Sequence, residues 1–478
     1  MYLHNTRSTG VSKTFSSSAM IIMKFGGTSV EDAKSMRRVA GIVRDHKSRQ
    51  PVVVASACAG VTNGLLRLAR AALLTPPSQS LVDVEQLRLR HRKIAHELFS
   101  GEVLFTVQAQ IDAMLDEVRD LAKSIAIIGE LTNRSLDTFA SFGERLSTLL
   151  LFHLLVQEGM KAVLVNAQEV MITNDDYTRA VPLFDDIHRK AAELIAPKVK
   201  AGQIVVTQGF IGSTAGGVPT TIGRGGSDYS AAILGAALEA KEIQIWTDVD
   251  GILTADPSLI PEARPIEELT FQEAAELAYF GARVLHPATI LPAVQKNIPV
   301  RVLNSRRPDV DGTVIVNKPS VPERRAVKSI AYKEGITLIN ITSTRMLMMH
   351  GFLARVFAIF AHYEKSVDAI ATSEVSLSLT VDNTSNLDAI FEELRNVADV
   401  EVVRDKAIFC VVGENLKRTR SVVSTIFSIL DTNGIPVSMI SLGASEINVT
   451  FVVDANDIAR TARALHESLF GKSHGGKS

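Results

Sequence analysis

Strand-like apolar runs alternate with helix-like segments through roughly the first 315 residues of this chain. Ala19–Lys24 and Pro51–Ala57 have the composition of buried strands, and apolar residues recur between them at helical spacing from Val30 to Val43. Further strands are predicted at Lys161–Asn166, Gln203–Ile211, Glu242–Thr247 and Ile298–Asn304, and helices at Val82–Gly159, Ser227–Ala240 and Phe271–Phe280. This alternation predicts an α/β fold in which helices sandwich a mostly parallel sheet.

A repeated pattern occupies the C-terminal part of the chain. Leu377–Asp382 is similar to Val449–Asp454, and Ser373-Glu374-Val375 is similar to Ser445-Glu446-Ile447, at offsets of 70–72 residues. Each repeat has the order strand, helix, strand, strand, helix, which predicts a small α+β module present twice.

These patterns predict six segments along the chain. They are a disordered extension at 1–19, an α/β domain at 20–317, a basic, proline-containing linker at 318–333, α+β modules at 334–404 and 405–470, and a disordered tail at 471–478. The tail has the spacing of a Walker A motif, but that phosphate loop requires a strand before it and a helix after it. We therefore reject the Walker A interpretation.

The composition excludes several classes of protein. Fifty-one Lys and Arg residues nearly balance 52 Asp and Glu, and aromatic residues make up only 5% of the chain. We therefore expect no nucleic-acid partner and no membrane partner. Two cysteines cannot form a disulfide framework, which favours the reducing cytoplasm, and no apolar run is long enough for a transmembrane helix. Residues 1–19 fit either a disordered extension or a transit-like peptide.

One candidate site surrounds Lys24. This lysine ends a predicted strand and precedes Gly26-Gly27-Thr28-Ser29, which we place at a helix start. Backbone N–H groups at such a turn can hold phosphate oxygens, and the ammonium can neutralise charge on a phosphoryl group in transfer. The alternative is a solvated lysine beside a glycine turn.

A second candidate site is the glycine-rich segment Gly223–Ser230. Arg224 has the fork-shaped cation that captures a carboxylate in a bidentate manner. Asp228 is either a capping acid of the next helix or a partner that orients the Lys24 ammonium and keeps it charged. The whole proposal depends on Lys24 and Asp228 becoming neighbours in the fold.

Three further sites are weaker candidates, namely Glu144, Thr62 and the pair Thr247-Asp248. Glu144, which we place at the start of a helix over Arg145–Gln157, could pair with a substrate ammonium or only favour the helix N-terminus. Thr62 could contact a substrate or cap a helix. Thr247-Asp248 could contact a nucleotide at a strand end or form a plain turn. Cys58 is more typical of a small buried hydrophobic residue than of a nucleophile.

Together, the motifs of this chain resemble those of aspartate kinases, members of the amino-acid-kinase superfamily with tandem C-terminal ACT modules. The matching segments are Lys24–Ser29, Gly60–Asn63, Ser141–Glu144, Gln208–Gly212, Gly223–Ser230, Trp246–Val249 and Phe280–Pro287. The resemblance covers residues 20–470. It implies transfer of the γ-phosphoryl group of ATP to the side-chain carboxylate of L-aspartate, with Mg²⁺ held largely by ATP and water.

The resemblance also implies roles for individual residues. It assigns catalysis to Lys24 and Asp228, the substrate α-carboxylate to Arg224 and the α-ammonium to Glu144. Thr62, Gly225, Gly226 and Ser227 complete the substrate pocket. The ATP-binding residues that it implies are Lys24, Phe25, Gly26, Gly27, Thr28, Ser29, Thr247, Asp248, Leu253, Ser258, Arg283 and Val284. Leu253, Ser258 and Arg283 depart from the residue types expected there, and no metal ligand is assigned to the protein.

Regulation by an end-product amino acid is a further implication, and lysine is the favoured effector because the first α+β module is similar to that of lysine-sensitive bacterial members. The implied effector residues lie where two subunits of a homodimer meet: Met346, Met349, Phe352, Leu353, Ser366, Val367, Asp368, Ser373 and Glu374. Threonine, another effector or loss of regulation would also fit. Two other functions stay open, namely a kinase of this fold acting on glutamate or N-acetylglutamate, and a non-catalytic amino-acid sensor.

Overall fold

The structure is a computed structural model of the 478-residue chain. It describes residues 20–74, 77–223, 225–280, 285–319, 326–343, 350–382, 384–414, 416, 421–442 and 446–471. The predicted extension at 1–19, most of the predicted tail and five predicted site residues lie outside these ranges: Arg224, Arg283, Val284, Met346 and Met349. The chain divides into two compact units, Met1–Trp246 and Thr247–Ser478, which are described in turn.

The first unit alternates strands and helices. Its strands are β1 Ile21–Phe25, β2 Pro51–Ala55, β3 Ala162–Leu164, β4 Ile172–Thr173, β5 Ile204–Gln208, β6 Ile211–Thr214, β7 Pro219–Thr221 and β8 Glu242–Thr247, the last of which ends at the boundary of the unit. Its helices are α1 Ala33–Asp45, α2 Val61–Leu74, α3 Pro77–Leu98, α4 Gly101–Ile128, α5 Asn133–Gln157, α6 Ala167–Val170, α7 Phe184–Leu194, α8 Ala196–Lys200 and α9 Gly226–Ala237.

The central sheet of this unit is parallel. Its strands lie in the order β3-β5-β2-β1-β8, and every neighbouring pair runs in the same direction. All residues of β1, β2 and β5 are buried, which explains their continuous apolar sequences. The predicted α/β fold with a mostly parallel sheet is therefore confirmed. A small second sheet, β4-β6-β7, contains one parallel and one antiparallel pair.

Helix α5 begins earlier than the sequence indicated. We predicted that Gly143-Glu144 opens a helix over Arg145–Gln157, but the helix runs from Asn133 and its N-cap is Thr132, whose side chain accepts from the Ser135 N–H. The prediction was wrong because α5 is buried on most sides, so it has little of the apolar–polar periodicity that marks a helix boundary. By length and composition alone α5 could cross a membrane, but most of it is buried inside the protein.

The second unit contains the strands between residues 268 and 316 and a separate antiparallel sheet formed by the strands between residues 329 and 454. Its strands are β9 Glu268–Thr270, β10 Val300–Asn304, β11 Thr313–Val316, β12 Ser329–Thr342, β13 Ile370–Thr372, β14 Ser376–Val381, β15 Asp399–Val412, β16 Met439–Ser441 and β17 Asn448–Asp454. Its helices are α10 Phe271–Tyr279, α11 Leu291–Gln295, α12 Phe352–His362, α13 Leu387–Arg395, α14 Val422–Thr432 and α15 Ile458–Phe470. Strand β11 pairs antiparallel with β10 and parallel with β9.

The predicted repeat forms one antiparallel sheet with the strand order β13-β14-β12-β15-β17-β16. The succession β12, α12, β13, β14, α13 is followed by the equivalent succession β15, α14, β16, β17, α15, which confirms two α+β modules. Each module has its own core. One core contains Phe360 and Leu379, and the other contains Phe409 and Phe451.

Strands β12 and β15 serve both modules, which was not expected. They pair with each other along their lengths, and the register of β12 shifts beside Gly335, whose φ is 72°. Asp405 has a φ of 55° within β15. Residues 329–333, which we predicted to be linker, therefore belong to a strand, and the predicted boundary at 404/405 falls inside β15. The prolines of the linker end at Pro322 and residues 329–333 already have a strand-like composition, so the predicted linker was drawn too long.

Candidate active site

Lys24 and Asp228 form an ion pair in the first unit. Lys24 lies in β1 between Val54 of β2 and Ile245 of β8, and its Nζ is 2.6 Å from Asp228 Oδ1. The two side chains are only 11% and 14% exposed. Helix α9 has Gly225 as its N-cap without a side-chain cap hydrogen bond, so Asp228 pairs with Lys24 and does not serve as the cap. The fold therefore brings the two sequence motifs together.

The glycine turn after Lys24 is tightly packed. The Gly26 N–H donates to the Trp246 carbonyl at 3.0 Å, and the Ala59 N–H donates to the Gly27 carbonyl at 3.1 Å. A Cβ on Gly27 would lie 2.9 Å from the Ala57 carbonyl oxygen, so any side chain at this position would displace backbone. This close approach explains why a glycine is required there.

The helix start that we predicted in this turn is only a 3₁₀ helix over Gly27–Ser29, and α1 begins at Ala33 with Asp32 as its cap. The Phe25 side chain is fully buried and stacks on Trp246, and Ser29 is 1% exposed. Both side chains pack inside the protein, so a nucleotide would meet these two residues only through their backbone.

Glu144 is a buried carboxyl group with one free oxygen. It is 3% exposed, and its Oε1 accepts from the Ala57 N–H at 3.2 Å. Its Oε2 is buried and has no hydrogen-bond partner among the described residues. Removal from water raises the pKa of Glu144 to about 8. A carboxyl group in this position is stabilised as the anion only when a cation enters beside it.

A cavity of about 500 Å³ joins these groups. All the predicted catalytic and substrate-binding residues that the structure describes line it: Lys24, Thr62, Glu144, Gly225, Gly226, Ser227 and Asp228. Thr62 is the second residue of α2, inside the helix and not at its N-cap. The cavity thus has the Lys24–Asp228 pair and the Glu144 carboxyl group in its wall, a charge pattern that suits a small substrate bearing both an anion and an ammonium.

The sequence analysis assigned no role to several cavity residues, among them Asp137, Phe210 and Thr221. Asp137 precedes Glu144 by seven residues on α5, a spacing of two helical turns that returns to the same face. That spacing is a usable signal, but we missed it because we started the helix at Arg145. Phe210 has a φ of 65°, and its backbone N–H donates to the Ser230 hydroxyl at 2.9 Å. Nothing in the sequence around Phe210 indicates this conformation.

Cys58 lies close to the cavity but is not reactive. It is 1% exposed, and its thiol donates to the Val30 carbonyl at 3.0 Å. Burial raises the pKa of this thiol to about 12. The interpretation of Cys58 as a small buried residue is therefore confirmed, since the nucleophilic thiolate would not form near neutral pH.

The predicted nucleotide residues that are described from Thr247 onward belong to the second unit. The Thr247 hydroxyl donates to Asp248 Oδ1 at 3.3 Å, and Asp248 is exposed. Ser258 donates through both its N–H and its hydroxyl to Asp256 Oδ1, which is the geometry of a local turn. The carbonyl of Leu253 accepts from the Ser329 hydroxyl at 2.8 Å. The assignment of these residues to ATP stays a prediction.

The predicted effector residues that are described lie in the first α+β module. Phe352 packs in its core, whereas Leu353, Ser366, Ser373 and Glu374 are exposed and Val367 is half-buried. The Asp368 carboxylate accepts from the Tyr279 hydroxyl at 2.9 Å and pairs with Lys333 Nζ at 3.2 Å. Its second oxygen is buried without a hydrogen-bond partner in the described part of the chain. An effector contact at Phe352 would have to involve the backbone.

Two family models match this sequence. The amino acid kinase family matches residues 19–304, which is more than half of the chain. The ACT domain matches residues 409–469, the second of the two α+β modules. The matches agree with the parallel sheet and with the antiparallel C-terminal sheet.

Known proteins resemble the chain over nearly its whole length. "Aspartokinase 3, chloroplastic" from Arabidopsis thaliana is 40% identical over 462 residues, which cover 94% of this chain and 81% of that protein. The crystal structure of Escherichia coli aspartokinase III in complex with lysine and aspartate, in the T-state, has a TM-score of 0.80 and 38% identity, and the match covers 95% of this chain and 100% of that one. The R-state structure of aspartokinase III, in complex with aspartate and ADP, has a TM-score of 0.79 and 38% identity over 94% of this chain and 100% of that one.

Proposed function

This chain belongs to the aspartokinase family and phosphorylates L-aspartate with ATP, and from that premise we propose that Lys24, Asp228 and Glu144 carry the reaction in the cavity of the first unit. The observation that supports these roles most strongly is the 2.6 Å Lys24–Asp228 ion pair in the same cavity as a buried carboxyl group with an unpartnered oxygen. The product is 4-phospho-L-aspartate.

The transfer needs positioning and charge neutralisation more than acid–base chemistry. A side-chain carboxylate oxygen of aspartate attacks the γ-phosphorus in line, and the bond from that phosphorus to the β–γ bridging oxygen breaks, so its electron pair leaves with ADP. The attacking group is already an anion at neutral pH and needs no general base. Lys24 stabilises the charge on the transferring group, and Asp228 holds the ammonium in place.

Glu144 binds the α-ammonium of the substrate in this proposal. The free Oε2 atom is the acceptor, and the Ala57 N–H keeps the other oxygen in position. Thr62, Gly225, Gly226 and Ser227 complete the pocket. Arg224 remains the proposed partner of the α-carboxylate on the basis of its motif, and we expect Arg224→Ala mainly to raise the KM for aspartate.

Mg²⁺ enters this proposal with ATP. Among the described residues no three His, Cys, Asp or Glu side chains are grouped to hold a metal ion. The proposal of a cation carried mainly by phosphate oxygens and water follows from the ordinary chemistry of Mg²⁺. The ion would neutralise phosphate charge during transfer. The nucleotide roles proposed for Gly26, Gly27, Thr28, Thr247 and Asp248 follow from the family resemblance.

The pH dependence of aspartate binding tests the role of Glu144. Its pKa of about 8 in the free protein means that the carboxyl group is neutral below that pH. Binding of the substrate ammonium requires Glu144 to be a carboxylate. Below pH 8 Glu144 must lose its proton before aspartate binds, so the apparent affinity for aspartate falls as the pH is lowered. We expect the KM for aspartate to rise by up to about tenfold per pH unit between pH 8 and 6. Initial rates over a pH series measure this, and a flat profile in the wild-type protein would contradict the role.

The same fold could act on another acidic amino acid, and the reaction products separate the possibilities. Hydroxylamine traps an acyl phosphate as a hydroxamate. The rate of ADP release can be measured with aspartate, glutamate or N-acetylglutamate as the substrate, and the three rates compared. An N-acylated substrate has no ammonium to pair with Glu144, so we expect turnover to favour aspartate.

Feedback inhibition by lysine is the second part of the proposal. It is supported by the two ACT-type modules and by similarity to an aspartokinase crystallised with lysine. We expect lysine to raise the apparent KM for aspartate by roughly 5–150-fold, which is the range of typical allosteric coupling. We also expect the chain to form a homodimer through these modules, and lysine to alter that dimer. Rate measurements across a lysine titration, with light scattering, test both expectations. A response to threonine alone would reassign the effector, and flat kinetics with both amino acids would remove the regulation.

Cytoplasmic localisation completes the proposal. Its support is the pair of cysteines, both buried as free thiols. Cell fractionation or a fluorescent fusion retaining residues 1–19 tests it, and import into an organelle would favour the transit-like alternative.

A further inference from the structure

Asp137 is a buried carboxylate in the cavity wall that the proposed chemistry does not use. Its residue is 1% exposed, and it accepts three hydrogen bonds. The Thr221 hydroxyl donates to Oδ1 at 2.6 Å, while the N–H groups of Thr221 and Thr178 donate to Oδ2 at 3.0 and 2.8 Å. A carboxylate with this many short hydrogen bonds holds its donors in one geometry.

Asp137 lies on the same helix, α5, as Glu144 of the proposed ammonium site. Asp137 and Glu144 are seven residues apart, so they lie on the same face of one helix at a distance of about 10 Å along its axis. A continuous helix is stiff over two turns. Thr221 and Thr178, the residues that donate hydrogen bonds to Asp137, are therefore held at a defined distance from Glu144.

One of the donors to Asp137, Thr221, comes shortly before the segment that contains Asp228. Thr221 is the last residue of β7, and Gly223 and Gly225 follow it with φ values of 79° and 68° before α9 begins at Gly226. Thr178 has a φ of 74°, and the Ala180 N–H of the same loop donates to the Thr221 carbonyl at 2.9 Å. The carboxylate thus anchors the strand end from which the glycine-rich turn starts.

We propose that Asp137 is a positioning residue that fixes the separation between Glu144 and the Gly225–Asp228 segment, and thereby sets the length of amino acid that the cavity accepts. The inference rests on the proposed roles of Glu144 and Asp228. Aspartate and glutamate differ by one methylene group, a difference that a pocket discriminates by roughly 10–200-fold. Discrimination by length requires both ends of the pocket to be held rigidly, because small displacements of a bound substrate cost large factors in rate.

Thr221→Val tests the inference because it keeps the shape of the side chain and removes the hydroxyl that Asp137 Oδ1 accepts. We expect kcat/KM for aspartate to fall by about tenfold or more, mainly through KM, and the preference for aspartate over glutamate to fall by about fivefold or more. The KM for ATP should change by less than about twofold, since Gly225, Gly226 and Ser227, which follow the anchored strand end, are assigned to the amino-acid pocket. Thr221→Ser restores the hydroxyl and should recover most of the preference.

Thr220→Val is the matched control. Thr220 is the preceding residue of β7, is fully buried, and shares a 2.7 Å hydrogen bond with the Thr173 hydroxyl. The same substitution there also removes a buried hydroxyl, but this hydroxyl does not contact Asp137. We expect a comparable decrease in melting temperature and an unchanged aspartate-to-glutamate preference. Asp137→Asn should reproduce the loss of preference, and its effect should not add to that of Thr221→Val in the double variant.

The results separate a positioning role from a structural one. If Thr221→Val lowers the melting temperature as Thr220→Val does and keeps the wild-type preference, Asp137 has only a structural role and the inference is wrong. Glu144→Gln provides the other distinction. If that variant binds aspartate normally, the proposed ammonium site fails, whereas a raised KM in Glu144→Gln beside an unchanged preference in Thr221→Val overturns the inference alone.

Discussion

Lys24→Ala is expected to lower turnover by roughly 10²–10³-fold while the protein remains folded. The ammonium of Lys24 sits 2.6 Å from Asp228 and is nearly buried, so it is held in place before the phosphoryl group arrives. Removing it deletes a preorganised positive charge from a region of low dielectric constant, where water replaces it poorly. The decrease should appear mainly in kcat, because the charge on the transferring group is largest in the transition state. Hydroxamate formation at saturating aspartate and ATP measures this.

Lys34→Ala is the matched control for this variant. Lys34 is an exposed lysine on α1, so its replacement removes the same charge from the protein without changing the cavity. It should turn over at the wild-type rate. Asp228→Asn keeps the ammonium but removes the carboxylate that orients it, and it should also lower kcat. Near-normal turnover in Lys24→Ala would remove this lysine from the mechanism.

Glu144→Gln is expected to raise the KM for aspartate by roughly 10–150-fold. The substitution keeps the size of the side chain and an acceptor for the Ala57 N–H, but it removes the negative charge from the buried Oε2 position. A hydrogen bond to a charged group contributes about 1.5–3 kcal/mol, which corresponds to that range of affinity. The KM for ATP should change little. Steady-state kinetics with each substrate varied in turn measure the two effects separately.

The pH profile of Glu144→Gln is the internal check. A glutamine does not titrate, so the rise in KM for aspartate between pH 8 and 6 should disappear in this variant. Glu102→Gln, on an exposed residue in the first turn of α4, is the control for loss of a carboxylate elsewhere. A Glu144→Gln enzyme with an unchanged KM, or with the wild-type pH profile, would contradict the ammonium site.

The buried strands and the tandem repeat could be predicted from the sequence because both have local signals. Strands β1 and β2 are continuous apolar runs, as expected for strands covered on both faces, and α14 repeats the position of α12 after about 70 residues. The start of α5 could not be predicted in this way. A helix that is buried on most sides lacks a polar face, so Gly143 was taken for a helix boundary when it instead permits close packing. A Cβ there would lie 2.8 Å from the Ala57 Cβ.

The sequence by itself determined which chemical groups this chain has available: an ammonium at the end of one strand, a carboxylate after a glycine-rich turn, and a family resemblance that specifies the reaction. Only the tertiary structure decided which of them meet. The 2.6 Å Lys24–Asp228 ion pair and the hydrogen bond from Thr221 to Asp137 have no local signal in the sequence, because each joins residues far apart along the chain. These residues meet because of the order of strands in the sheet and the packing of α5. Burial is likewise a property of the whole fold. The raised pKa of Glu144 therefore follows from the packing around it and not from its neighbours in the sequence.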